Sequence, residues 1–383
     1  MHPVPCVEEV SIRVLTSGVH LVRARASAGP AVESNPLVAL PQTPRVLWAD
    51  LHGHSNFSDG TGTPEDYFRY ARDVAALDVS ALTDHDHVGA WFLDANPPRW
   101  EEIRRQVRDF HEPGRFVTLL GFEWTNWIYG HRHVLYFGDE GELLSSVDAR
   151  YDTPAKLWAA LRGRAALTIP HHPAGGPVAI DWAIAPDAEL EPEVEIASVH
   201  GQSESPDAPQ LIHSPVRGNF ARDALGRGYR LGFLGSGDSH DGHPGLVQLF
   251  AGESGGLAAI LSEQLTREGV REALLARRTY ATNGPRIYLS VTLDGMPMGS
   301  TLSHAKWPPG APPKLAVLAI GVADLDRIDV VRSGRVERAA PGEGRRRIGL
   351  SLPLPELRAG EYVYVRAVQT DGGAAWSSPF FIE

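Results

Sequence analysis

One cysteine, Cys6, stands in 383 residues. That excludes an internal disulfide and any multi-thiolate zinc site, so a metal in this chain has to be held by His, Asp and Glu. Lysine is almost as scarce: Lys156, Lys306 and Lys314 are the full set. None lies on an inner strand, where an amidohydrolase-type barrel would be expected to supply a metal-bridging lysine. The formal net charge is -11, and the clearest basic run is the short Arg345-Arg346-Arg347. Nucleic acid and acidic membranes need clustered Lys and Arg, so neither is expected as a partner, and the triplet reads as a solvated turn. No apolar stretch is long enough to span a bilayer, and MHPVPCVEEV lacks the basic start and apolar run of a leader. The expectation is a cytoplasmic protein that acts on a small-molecule substrate.

What is present is histidine, 16 of them, gathered behind short apolar runs. DLHGHSNFSDG (50–60) follows Val46-Leu47-Trp48, and in extended chain His52 and His54 point to one side. The same theme returns in DVSALTDHDH (78–87), FVTLLGFEWT (116–125), AALTIPHHP (165–173), VEIASVHGQSE (194–204) and LGFLGSGDSHDGH (231–243). Helical patterns lie between them, at Thr63-Pro64-Glu65-Asp66 with DYFRYARDVAAL, and at 99–110, 153–164 and 266–278. Alternating strand and helix predicts an α/β chain with a mainly parallel sheet, closed as a barrel whose C-terminal rim carries the polar residues. In GHRHVLYFG (130–138) the histidines precede the apolar run, so His131 and His133 join that rim if their strand runs antiparallel to the one ending at Glu123.

A chain of this length exceeds the usual single core. From about Gly284 the texture changes to RIYLSVTLDG, KLAVLAIGV, RIDVVRSGRV and EYVYVRAVQTDGG, which predicts a small β-sandwich. VSIRVLTSGVHLVRARA predicts a hairpin turning at Ser17-Gly18, and 34–45 a linker; the hairpin would join the sandwich as one accessory layer. The expected divisions are 1–44, 45–284 and 285–383.

The ionisable residues from these strand ends are His52, His54, Asp59, His85, Glu123, His131, His133, His171, His172, His200, Asp238 and His240. Imidazole and carboxylate without sulfur suit Zn²⁺, Mn²⁺ or Fe²⁺. A carboxylate such as Glu123 or Asp238 can bridge two ions about 3.5–4 Å apart, and a water between them is a hydroxide near neutral pH, which is a hydrolase's nucleophile. A lone buried acid such as Glu123 is costly unless paired. Asp59 in SDG also fits ordinary turn chemistry, and Asp84 fits a group that orients an imidazole. His87, His111, His213 and His243 read as ordinary histidines. Trp124, Trp127 and Tyr129 are candidates for the wall of an aromatic substrate pocket, although aromatics beside a strand end are more often core.

In this order, DLHGHSNFSDG, LTDHD, GFEWT, PHHP and GSGDSH resemble the polymerase-and-histidinol-phosphatase (PHP) metallohydrolase family over roughly residues 45 to 285. Its motifs are HxH with a following Asp or His, TDH, a Glu, further single histidines and a final DxH. GFEWTNWIYGHRHVLYFG and the tail DGGAAWSSPFF look like the carbaryl-hydrolase-like branch, which adds a C-terminal β-domain. The resemblance implies a distorted (β/α)7-type barrel with two or three divalent ions, Zn, Mn or Fe, on its rim. The metal ligands it implies are His52, His54, Asp59, His85, Glu123 as the bridge, His131 or His133, His172, Asp238 and His240. His171 is then left as a substrate contact or proton donor, and His200 falls where this branch places another site histidine. The implied activity is hydrolysis of a phosphoester, or of an ester, carbamate or amide; the alternative is a non-catalytic PHP-like domain with a structural or partner-binding role. Family phosphatases often follow the His-Pro with Gly-Arg, whereas here Pro173 precedes Ala174-Gly175-Gly176.

Overall fold

A computed structural model describes residues 10–25, 29–41, 44–246, 255–308 and 310–383; Cys6 lies outside them. The N-terminal piece departs from the expected hairpin. Strand β1 (Gly18–His20) pairs antiparallel with β4 (Leu37–Ala39), and β2 (Arg23–Arg25) pairs with β3 (Ala31–Glu33) inside that ladder. Gly18 therefore starts a strand instead of a turn, and the stretch taken as a linker supplies β4. Gly29 and Pro30, turn-forming residue types, directly precede β3. The N-terminal ladders meet the C-terminal strands through Glu33 and Arg346, 3.4 Å apart.

The central region starts with β5 (Val46–Asp50), α1 (Pro64–Asp73), β6 (Val79–Leu82), α2 (Pro97–Asp109) and β7 (Val117–Trp124). Thr63 caps α1 by taking the Asp66 N–H on its hydroxyl while the Asp66 carboxylate takes the Thr63 N–H, both at 3.1 Å. Strands β5, β6 and β7 run parallel. The connection from β7 to β8 (Arg132–Tyr136) is too short for a helix, so β8 returns antiparallel, with Glu123 opposite His133. After α3 (Pro154–Leu161), β9 (Ala166–Pro170) pairs antiparallel with β8.

Next come β10 (Glu193–Ser198), β11 (Gly201–Gln202), α4 (Ala221–Gly226), β12 (Gly232–Gly235), β13 (Leu257–Leu261), α5 (Arg267–Leu275) and β14 (Thr279–Thr282). Strand β10 is parallel to β12 and lies beside β9. Strand β12 lies beside β13 and β14, and β13 pairs antiparallel with β5. The fold is mixed α/β with strands predominating. The expected regular helical crossovers occur at α1 and α2, but antiparallel pairs replace them at β7–β8, β8–β9 and β13–β5.

Alternation explains where the site lies. One face of these strands is apolar and packs on α1, α2 and α3 through Phe68, Trp100, Ile103, Phe122, Trp124 and Trp158. The other face carries Leu47, Ala49, Val79, Ala81, Val117, Leu119, Leu135, Leu167 and Ile169, closed from one side by Val270 and Leu274 of α5. Continuing that second face by steps of two leads from Leu119 to Glu123, from Leu135 back to His133 and His131, and from Ile169 to His171. The apolar interior thus ends in an ionisable layer.

The C-terminal strands are β15 (Tyr288–Leu293), β16 (Met296–Pro297), β17 (Thr301–Leu302), β18 (Lys314–Arg332), β19 (Arg335–Pro353), β20 (Tyr362–Gln369), β21 (Ala374–Ser377) and β22 (Phe380–Ile382). They share one hydrogen-bonded sheet with the central strands, because β21 pairs with β14 and β14 with β13. Arg345, Arg346 and Arg347 are exposed residues within β19, not a turn. Arg366 of β20 is almost fully buried between Asp329 of β18 and Glu204 of the segment after β11, at 3.0 and 3.2 Å, with Asp207 at 3.3 Å. Tyr364 also donates to Glu204.

Candidate metal centre

Strand β5 ends at Asp50, and the turn after it is shaped by glycines. A Cβ on Gly53 would lie 2.5 Å from the Tyr67 hydroxyl, and one on Gly60 would lie 2.3 Å from the His54 carbonyl. Asp50 ties this turn to the loop after β12 by accepting the N–H groups of Gly237 and Gly245 at 2.9 and 2.7 Å. That loop carries Asp238 and His240. Two candidate ligands, His172 and Asp238, adopt left-handed backbone with φ of 37° and 52°. Non-glycine residues pay for this conformation, and it concentrates where a side chain has to be aimed.

Glu123 is the hub. Its Oε2 lies 3.4 Å from His52 Nε2, 3.3 Å from His54 Nε2 and 3.0 Å from His85 Nδ1. Its Oε1 lies 2.7 Å from His131 Nδ1 and 2.9 Å from His171 Nε2. Asp238 Oδ1 is 3.3 Å from His52 Nε2 and 3.1 Å from His54 Nε2, while its Oδ2 is 2.9 Å from His200 Nε2. Asp59, partly exposed at the opening, is 3.5 Å from His85 Nε2, 3.4 Å from His240 Nε2 and 3.8 Å from His54 Nδ1. Among the described residues, four groups have donor atoms close enough to share an ion: His52-His54-Glu123, His54-Asp59-His85-His240, His131-His171-His172, and His52-His133-His171-Glu195.

The structure therefore gathers His52, His54, Asp59, His85, Glu123, His131, His133, His171, His172, Asp238 and His240 at one end of the central strands. His131 faces Glu123 and His172, whereas His133 lies deeper, 3.5 Å from Glu195. His171 is fully buried against Glu123, which places it among the ligand candidates instead of leaving it free as a proton donor. His200 sits at the open side, its ring 22% exposed and its Nδ1 2.9 Å from His213. Among the described residues, Asp84 holds no imidazole directly. It accepts from Ser55 N–H and from the Ser55 and Ser58 hydroxyls, and Ser58 Oγ lies 3.3 Å from His54 Nδ1.

Trp124 is corrected outright. It lies on the strand face opposite Glu123, is fully buried, and donates its indole N–H to the Tyr151 carbonyl, so it is core and not a substrate wall. Trp127 is 55% exposed with its ring edge-on to His131 at 5.3 Å, and Tyr129 is partly buried against the helix-side core. Glu195 was missed by the sequence reading. The signal was available: an acid inside the apolar run VEIAS, on the inward alternation, meets the same cost argument that singled out Glu123.

Charge balance supports a cation site. Burial opposes ionisation of Glu123 and Asp238, yet the surrounding imidazoles, His85, His171 and His131 for the first and His52, His200 and His54 for the second, hold both well below the usual carboxylate range. Burial also lowers His54 and His85, but Asp238 and Glu123 outweigh it for the first and Glu123 and Asp59 for the second, raising them to about 10 and about 9. His133, His171 and His172 are pushed well below the ordinary range, chiefly by burial and then by neighbouring imidazoles, so they offer lone pairs. His131 Nε2, both His133 nitrogens, and Nδ1 of His171 and of His172 are buried without a hydrogen-bond partner. His52 Nε2 and His54 Nε2 face each other at 3.3 Å. Lone pairs converging around shared carboxylates fit divalent ions, which compete with protons for the same atoms.

A family model described as a protein of unknown function (DUF3604) matches residues 80–222 and 245–292. An uncharacterized protein of Chlamydia pneumoniae is 29% identical over 373 residues, covering 89% of this chain and 58% of that relative. One of Chlamydia muridarum is 26% identical over 392 residues, covering 96% of this chain and 62% of the relative. The chain thus spans less than two thirds of the length of these relatives. Among solved structures, a two-domain protein containing a predicted PHP-like metal-dependent phosphoesterase from Bacteroides vulgatus is similar with a TM-score of 0.47 and 15% identity, over 88% of this chain and 95% of that one. Endonuclease Q, in complex with a duplex bearing an abasic lesion, is similar with a TM-score of 0.37 and 12% identity, over 60% and 56% of the two chains.

Proposed function

We propose that this chain is a PHP-type metal-dependent hydrolase of small molecules, built on a distorted (β/α)7-type barrel and using two or three Zn, Mn or Fe ions. The observation that carries the reading is the division of Glu123: one oxygen faces His52, His54 and His85, the other His131 and His171. A carboxylate shared in this way is the arrangement a bridge between two cations needs. Divalent ions bound there supply Lewis acidity and lower the pKa of water toward neutrality. The chain's own part is to hold the cations, to exclude water behind the buried histidines, and to present a proton at His200 Nε2, the more open imidazole beside Asp238.

Substrate class follows from where arginine is. Arg132 is buried with Glu191, 2.9 Å away, and Arg286 donates to the Ala75 carbonyl, so neither serves as an anion contact among the gathered histidines. A phosphomonoester dianion needs charge partners beyond the metals, usually a bidentate arginine. Less charged substrates are favoured, either phosphodiesters or aryl esters, carbamates and amides, with exposed Trp127 offering apolar contact. The test compares p-nitrophenyl phosphate, bis-p-nitrophenyl phosphate and aryl ester and carbamate substrates with Zn²⁺, Mn²⁺ and Fe²⁺. The expected result is a higher kcat/KM for a diester, ester or carbamate than for the monoester. A monoester preferred over all of them overturns the substrate class, and Arg99, stacked on Phe57 at 4.5 Å in the turn between His54 and Asp59, is then the cation to replace.

A further inference from the structure

We propose that Glu195 is a positioning carboxylate that fixes the tautomer of His52, and that the group His52-His133-His171-Glu195 is a support for the metal centre and not a separate ion site. The inference rests on the metal-centre reading above. His52 turns Nε2 toward Glu123, Asp238 and His54, and turns Nδ1 toward Glu195, at 3.3 and 3.5 Å from its two oxygens. His171 points Nε2 at Glu123, 2.9 Å away, and its Nδ1, which has no hydrogen-bond partner, lies 4.0 Å from Glu195 Oε1. A neutral imidazole has one lone pair and one N–H. If His52 presents its lone pair at Nε2, its Nδ1 carries the hydrogen, and Glu195 is the acceptor beside it.

If His52 and His171 also bind ions through Nε2, a further cation between these four residues would need lone pairs at both nitrogens of each ring, that is, two imidazolates. The carboxylate reading needs none. Ligand histidines generally donate their other N–H to a carboxylate or carbonyl, and removing that partner costs roughly 10–100-fold in metal affinity. His54 and His240 supply the internal comparison. His54 Nδ1 has Ser58 Oγ at 3.3 Å, and His240 Nδ1 has the Asp238 carbonyl at 2.8 Å. His52, His54 and His240 thus each keep Nε2 for the centre and Nδ1 for a partner behind the ring. Strand β10 places Glu195 there because it points away from its neighbours Val194 and Ile196, which pack in the core.

The experiment measures Co²⁺ stoichiometry, dissociation constants by chelator competition, and the visible Co²⁺ spectrum for the wild-type chain, Glu195→Ala and Glu195→Gln. Glu195→Gln keeps the volume and one acceptor, so it remains informative if Glu195→Ala fails to fold. Positioning predicts unchanged stoichiometry, affinity weakened roughly 10–100-fold in Glu195→Ala and less in Glu195→Gln, and an altered spectrum in both. Loss of one whole ion with the others bound at wild-type affinity makes Glu195 a ligand and overturns the proposal. Wild-type affinity and spectrum in both variants overturn it as well, and leave the metal centre standing. A wild-type chain that binds no Co²⁺ overturns the metal-centre reading itself, and this proposal with it.

Discussion

Glu123→Gln loses metal and activity together. The amide keeps the shape and one acceptor oxygen but removes the charge, and its NH₂ turns a donor toward whichever imidazole set it faces. The loss in affinity is expected to exceed the roughly 10–100-fold seen when a partner behind a ligand is removed, because Glu123 touches both sets of histidines. Metal content after dialysis and kcat/KM on the best substrate, measured on the same preparation, decide it. A variant with full metal content and full activity would place the bridge at another carboxylate, Asp238 being the next candidate from its contacts with His52 and His54.

Arg366→Ala destabilises the fold by about 3–5 kcal/mol, the usual cost of leaving buried charges without their partner. The substitution strips Glu204 and Asp329 of the cation between them, both carboxylates being almost fully buried. Asp329 belongs to the C-terminal strands and Glu204 to the segment that follows His200, so the loss falls where the two parts of the chain meet. Ser203, next to Glu204, takes the Ala174 N–H two residues beyond His172, so the damage should also reach that side of the metal centre. Urea unfolding of both proteins measures the difference. A change below about 1 kcal/mol would mean that water reaches these groups and the cluster is solvated.

The metal centre was legible because its residues obey strand alternation. Glu123, His131, His133 and His171 continue an inward apolar face, and His52, His85 and Asp238 follow apolar runs that end at the same side. The same rule, applied to Trp124, sends it to the opposite face and into the core, so its misreading came from proximity in sequence to Glu123. Glu195 was harder to see because it lies inside the apolar run VEIAS and not at its polar end, where His200 stands. Pairing between distant strands was not legible: nothing local in TYAT (279–282) says that it pairs with AAWS (374–377), and that ladder is what joins the C-terminal strands to the central sheet. The three-residue N-terminal strands are mostly exposed, so no alternation marks them. The Arg366 cluster joins residues over 100 positions apart and was equally invisible.

Metal content of the purified chain tests the central claim most directly. After removal of metals and reconstitution with Zn²⁺, Mn²⁺ or Fe²⁺, elemental analysis should find at least two ions per chain that survive dialysis, with hydrolysis returning as they bind. Less than one ion per chain with all three metals, in a protein that remains folded, would contradict it.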